Sequence, residues 1–184
     1  MKEDVKSRSA HGYRDHFSLA VTTFGVGYLP LAPGTWGSVV GVAIYLAAET
    51  LLKNLGMVDD KISPHFVHAW TLPVVTIALL LFTLLGIWAA GRSTELLGNT
   101  DPPEAVVDEV IGQLIVFLFV PFSIGWPMII AGFLLFRLFD IWKPYPIDSL
   151  QVLPGGIGVC ADDILAGVYA GVCLSVIYAI SLSL

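Results

Sequence analysis

Two long stretches of the chain carry no charge. Residues 72–90 (LPVVTIALLLFTLLGIWAA) and 164–184 (ILAGVYAGVCLSVIYAISLSL) are each long enough to cross a hydrocarbon core of about 30 Å as an α-helix. Gly37 to about Leu52 reads as another span, with Glu49 near its far end. Before it, Phe17–Leu29 is apolar but short and glycine-containing. It reads as an interfacial or shallow helix, broken off by Pro30, Pro33 and Gly34. A polar loop, Lys53–His68, leads into the second span. Asp101-Pro102-Pro103-Glu104 predicts a helix start: Asp101 at the N-cap, prolines in the first turn and Glu104 three residues after the cap. That helix is expected over Pro103–Val120, about 27 Å long. Pro121–Pro127 predicts a hairpin tip and Met128–Trp142 a return helix, ended by Pro144 and Pro146. The last span is expected to start near Asp163.

This pattern gives five crossings, and parity then tests it. The polar stretches Gly27–Ser38, Asp101–Glu109, Arg137–Asp148 and Gly155–Asp163 all fall on one face of the membrane. A re-entrant pair around Pro121–Pro127 would keep them together equally well. Lys2, Lys6, Arg8, Arg14, Arg92, Arg137 and Lys143 lie on that face, and Lys53 and Lys61 on the other, which points the polar stretches to the cytoplasm. Trp70 and Trp126 mark the opposite interface, Trp36 and Trp142 this one. The pairs Gly37/Gly41 and Gly167/Gly171 would let helices approach closely. The expected fold is therefore all-α: a multi-pass transmembrane helical bundle with short interfacial or re-entrant helices and a site on the cytoplasmic face. It is read as one membrane-embedded domain over residues 1–184, with a polar tail at 1–16.

Composition supports the membrane reading over a soluble helical bundle. Hydrophobic residues make up 56% and charged residues 13%, with mean hydropathy +0.81; soluble domains carry about 25% charged residues. Met1–His16, polar and of mixed charge, does not read as a removable signal. The net charge of −6 argues against a nucleic-acid partner. Cys160 and Cys173, roughly 20 Å apart along a helix, are too distant for a disulfide.

The acidic residues carry the chemistry. Asp108, Glu109, Asp140, Asp162 and Asp163 sit where membrane helices meet the cytoplasmic face, and ionisable groups at such depth are costly. Each has a plain alternative: Asp162 or Asp163 could cap the last helix, and Asp140 could pair with Arg137 or Lys143, three residues away. Adjacent carboxylates repel unless something positive lies between them. Oxygen ligands without His or Cys point to Mg²⁺, with Mn²⁺ as the alternative. For phosphate, Arg137 offers a planar fork and Lys143 a point charge. Gly34, Thr35 and Ser38 stand just before an expected helix N-terminus, an anion site. Gly155-Gly156-Ile157-Gly158 reads as a loop that could approach a ligand, or as a plain turn. Metal-free phosphatase nucleophiles are not evident. Neither cysteine has an arginine six residues on, and His11, His16, His65 and His68 fall in terminal or far-side loops. A metal-activated water is the expected nucleophile, with attack by an aspartate as the alternative. A cation-coupled transporter using the acidic cluster is the rival reading; it would place its charges near mid-bilayer on broken helices.

Four blocks in order resemble the phosphatidylglycerophosphatase A family: Pro30-Leu-Ala-Pro-Gly-Thr-Trp-Gly-Ser38, Asp101-Pro-Pro-Glu-Ala-Val-Val-Asp-Glu-Val-Ile-Gly112, Phe136-Arg-Leu-Phe-Asp-Ile-Trp-Lys-Pro-Tyr-Pro-Ile147 and Gly155-Gly-Ile-Gly-Val-Cys-Ala-Asp-Asp-Ile-Leu-Ala-Gly167. The resemblance implies Mg²⁺-dependent hydrolysis of the terminal phosphomonoester of phosphatidylglycerophosphate to phosphatidylglycerol and phosphate. It implies a phospholipid substrate in the bacterial cytoplasmic (inner) membrane, with the site facing the cytoplasm. Oligomeric state stays open.

Overall fold

The computed structural model describes residues 7–58 and 64–183, with the backbone alone over 64–69. Lys2, Lys6, Asp59, Asp60 and Lys61 lie outside the described residues, as do the side chains of His65 and His68. The described elements are all helical: α1 (Tyr13–Thr23), α2 (Pro33–Asn54), α3 (Pro64–Leu97), α4 (Val107–Val116), α5 (Trp126–Trp142) and α6 (Gly155–Ser181), with short 3-10 turns at Val26–Tyr28, Phe117–Phe119 and Asp148–Val152. Among the described residues three segments are long and apolar enough to cross a membrane: α2 with 22 residues, Trp70–Leu97 of α3 with 28, and α6 with 27.

The helix expected over Pro103–Val120 is shorter and starts later. α4 has 10 residues, about 15 Å, and apolar helices of that length belong to cores or re-entrant segments. Eight of its ten residues are buried, so its surroundings are protein rather than lipid. It packs on α6, α2, α3 and α5 and forms the centre of the bundle. Asp101 and Glu104 do not cap it. Its N-cap is Val106, whose N–H donates to the Thr22 carbonyl at 2.9 Å, while Ala105 N–H bonds Pro102 O. The Glu104 carbonyl lies against Gly27, leaving no room for a side chain there. Glu104 and Val106 thus pack against the Val26–Tyr28 turn and the end of α1 instead of winding into a first turn of α4.

Other boundaries move for identifiable reasons. Pro33 starts α2 instead of breaking the chain, as suits proline at N1. Gly34, Thr35 and Ser38 therefore lie inside its first two turns, not before it. α6 starts at Gly155, so Asp162 and Asp163 are interior residues and cap nothing. Gly156 and Gly158 are contact points rather than a ligand loop. A Cβ at Gly156 would meet Ile87 O and come within 2.6 Å of Gly91 N on α3, and one at Gly158 would meet Leu153 O. Cys160, which precedes the expected start of the last span, is fully buried in α6.

The α1 helix begins within the stretch expected to be a polar tail. Asp15, buried, accepts Arg8 Nη1 at 2.7 Å, Arg92 Nε at 2.6 Å and the His11 N–H at 2.9 Å. This network ties the N-terminal segment to the end of α3. The flanking guanidiniums hold the Asp15 carboxyl well below the usual carboxylate range. Two apolar clusters form the core, one around Phe117, Phe136 and Leu174, the other around Val107, Ile111 and Cys160.

Candidate active site

Neighbouring positions on a helix point about 100° apart, so Asp108 and Glu109 serve different faces of α4. Asp108 shares a stripe with Gly112, which meets α6. A Cβ at Gly112 would come within 2.6 Å of Asp163 O, and one at Gly167 would meet Gly112 O. Only paired glycines allow these backbones to approach so closely, and the approach brings Asp163 beside Asp108. Glu109 faces α2, where Gly37 lies against its Cβ. A Cβ at Gly34 would meet Glu109 Oε1 and lie 3.0 Å from Arg137 Nη1. Carboxylate oxygens of Asp108, Glu109 and Asp163 lie within 4.8 Å of one another.

The other two expected ligands have cationic partners. Asp140 bonds Arg137 Nη1 at 2.7 Å and lies 3.9 Å from Lys143 Nζ; Asp162 takes a short hydrogen bond from Lys143 Nζ. Arg137 also reaches Ser38 Oγ at 3.5 Å. Thr35 stands half-buried in the first turn of α2, beside Gly34. All ten expected residues thus gather at one end of the bundle, three acids converging and two bracketing the basic pair.

Asp108 Oδ1, Glu109 Oε2 and Asp162 Oδ1 are buried with no hydrogen-bond partner among the described residues. Desolvated carboxylate oxygens without donors are costly. Three convergent oxygen donors with no nitrogen or sulfur suit a hard divalent cation, so the residues fit such an ion. Proximity to the α4 N-terminus adds a modest favourable field for Asp108 and Glu109. An apolar cavity of about 750 Å³, lined by Tyr45, Leu79, Phe82 and Phe117 among others, lies toward the opposite end and does not include the acids.

A family model for Phosphatidylglycerophosphatase A matches residues 19–178. The chain belongs to this family. Among curated relatives, a Phosphatidylglycerophosphatase A of Haemophilus influenzae is 36% identical over 153 residues, 83% of this chain and 82% of that protein. The protein of that name in Escherichia coli is 30% identical over 168 residues, 91% of this chain and 85% of its own. A Bacteroides thetaiotaomicron protein named "Putative phosphatidylinositol-3-phosphatase" is 39% identical over 156 residues, 84% and 89% of the two chains. No solved structure matches. Family membership makes the chain a phosphatase of the hydrolase class and leaves the transporter reading without support.

Sequence reasoning passed over Asp15 and Gln113. Asp15 gave no signal, because its partner Arg92 is 77 residues away. Gln113 did give one: it stands four residues after Glu109 in an otherwise apolar run.

Proposed function

We propose that the chain hydrolyses the terminal phosphomonoester of phosphatidylglycerophosphate, using Mg²⁺ (or Mn²⁺) held by Asp108, Glu109 and Asp163. The observation that carries this reading is the convergence of three carboxylates from two helices, Asp108 and Asp163 buried and Glu109 half-buried, in a chain of this family. A bound divalent cation would neutralise phosphate charge and lower the pKa of a coordinated water. Arg137 and Lys143 grip the phosphate oxygens, and Asp140 and Asp162 hold these two cations in position. Gly34, Thr35 and Ser38 are the α2 residues assigned to the phosphate, with Gly34 lying directly against Glu109 and Arg137 and Ser38 Oγ within reach of Arg137 Nη1. In hydrolysis a water oxygen bonds phosphorus, the phosphorus–glycerol oxygen bond breaks, and the leaving alcohol gains a proton. Asp162, whose Oδ1 is buried and unbonded, is the carboxylate assigned the proton that the water loses.

In this reading α2 and α6 begin, and α3 ends, at the cytoplasmic face, and α4 and α5 enter and leave on that face as a re-entrant pair. Arg8, Arg14, Arg92, Arg137 and Lys143 belong to that side and Lys53 to the other, as for a bacterial inner-membrane protein. The Bacteroides relative favours a second substrate reading, phosphatidylinositol 3-phosphate, because its printed name specifies that lipid phosphomonoester. The test is phosphate release by purified chain in mixed micelles containing Mg²⁺ and one lipid at a time. A higher kcat/KM for phosphatidylglycerophosphate supports the first reading. A higher value for the inositol lipid replaces it with the second.

A further inference from the structure

The apolar cavity of about 750 Å³ has no part in the chemistry described so far. Its volume falls within the range of about 300–1,000 Å³ usual for sites that enclose a ligand. It lies between α2 and α3, two membrane-crossing segments that scarcely touch one another, with the far end of α4 and the tip at 117–123 closing it from behind. No charged side chain lines it among the described residues. Thr71, its polar residue on α3, already donates to the Met57 carbonyl at 2.8 Å. Water is poorly held in such a space, since a buried water needs about two to four polar partners. Leu51 and Val74 on its lips are exposed, so the gap between α2 and α3 opens sideways onto hydrocarbon.

Length and depth say which hydrocarbon. The wall runs over 44–52 on α2 and 71–82 on α3, rises of about 12 and 17 Å. One leaflet of a hydrocarbon core about 30 Å thick is about 15 Å deep. The inner end begins at Ile44, about 15 Å along α2 from Gly34, which lies against Glu109. The cavity therefore occupies the half of the membrane remote from the acids and matches one leaflet end to end. The Tyr45 ring, stacked on Phe117 at 4.3 Å and on Phe122 at 5.7 Å between centroids, walls its inner end. A lipid held by its phosphate at the acids has no direct way in. Nearer the acids α2 and α4 are in contact at Gly37 and Gly41, where an added Cβ would come within 2.9 Å of Val106 O and 2.8 Å of the Gln113 Cβ.

We propose that this cavity is a second lipid site, which holds an acyl chain of a phospholipid from the leaflet opposite the acids. The methyl end of the chain lies at Tyr45 and Phe82 and its ester end at Leu52 and Leu72. The chain packs against Leu114 and Phe117 and so props the helix that carries Asp108 and Glu109. The lipid bound here is not hydrolysed, and the assignment is independent of the metal reading.

The test is photo-crosslinking of the full chain in vesicles of dioleoyl phosphatidylcholine, a lipid with no phosphomonoester. The vesicles are doped with a phosphatidylcholine that carries a diazirine either at the chain end or beside the ester, and adducts are mapped by peptide mass spectrometry. The chain-end probe labels Tyr45 and Phe82, and the ester-side probe labels Leu52 and Leu72. Ala48→Phe and Ala78→Phe place a ring inside the cavity. Each lowers labelling of these walls by about tenfold or more, because every methylene kept out is worth about fourfold in affinity. Labelling of Ala47, exposed and outside the cavity, stays unchanged. In detergent without phospholipid both variants melt at or above the parent chain, whereas added phosphatidylcholine raises the melting temperature of the parent alone. Wall labelling no stronger than at Ala47, or equal in the parent and both variants, overturns the site. The reverse order of the two probes overturns the leaflet. Should one variant not fold, the other variant and the parent's adduct map decide the question.

Discussion

The close crossing of α4 and α6, which brings Asp163 beside Asp108, should be the most sensitive point of the site. A Cβ added at Gly112 would stand 2.6 Å from the Asp163 carbonyl oxygen and closer still to the Phe136 ring, whereas ordinary contact begins at 3.4 Å. The ring can tilt; the helix backbone cannot. Gly112→Ala therefore parts α4 from α6 by most of an ångström at the level of Asp108 and Asp163. Overpacking of this kind costs about 1–3 kcal/mol of stability. The larger effect is on geometry: a displacement of about 1 Å in a positioned site can lower turnover about 100-fold. The assay is Mg²⁺-dependent phosphate release in micelles, paired with a melting curve in the same detergent. The expected result is a modestly lowered melting temperature with kcat down by roughly two orders of magnitude. Near-parental kcat would refute the reasoning, because it would mean the acids need no close crossing to act together.

Other outcomes follow from the same geometry. Arg137→Lys keeps the charge beside Asp140 but loses the bidentate fork, so kcat/KM should fall by about tenfold or more with little change in melting temperature; a drop in stability alone would mean that the residue serves only its ion pair. Because the folded Asp15 carboxyl titrates below its unfolded value near 3.8, its contribution is present above about pH 4 and lost as pH falls through the folded value. Asp15→Asn should therefore lower the melting temperature at pH 7 and flatten its decline in acid; parallel melting curves for the two chains at all pH values would contradict this. Cys160 is buried and Cys173 lies within α6, so an impermeant maleimide should leave the parent chain unlabelled. Asn54→Cys should label from outside the inner membrane and Ser149→Cys only from the cytoplasmic side; labelling of both from one side would break the re-entrant topology.

The parts of the fold legible in the sequence were those governed by local rules. Uncharged length marked α3 and α6, and prolines marked the end of α5. The acids and basic residues drew attention because charge at membrane depth is unusual. What misled was the central helix. Residues 103–120 look like a span because burial in protein and burial in lipid select the same apolar residues, and only contact with α2, α3, α5 and α6 separates the two. The same ambiguity placed the start of α6 near Asp163: three glycines read as a turn, whereas Gly156 and Gly158 serve close packing. The division of the five acids was equally hidden. Asp140 was suggested to pair with Arg137 from spacing alone, but the Lys143–Asp162 bond joins residues 19 apart across two helices.

The most direct measurement is the Mg²⁺ dependence of phosphate release from phosphatidylglycerophosphate by the parent chain and by Asp108→Asn, Glu109→Gln and Asp163→Asn. The parent should be silent in chelator and saturate with Mg²⁺. Each variant should fold, lose turnover by at least about 100-fold, and show little further loss when two changes are combined, as groups acting as one unit do. Parental turnover in chelator, or near-parental Mg²⁺ response in any two of the three variants, would contradict a metal site built by α4 and α6.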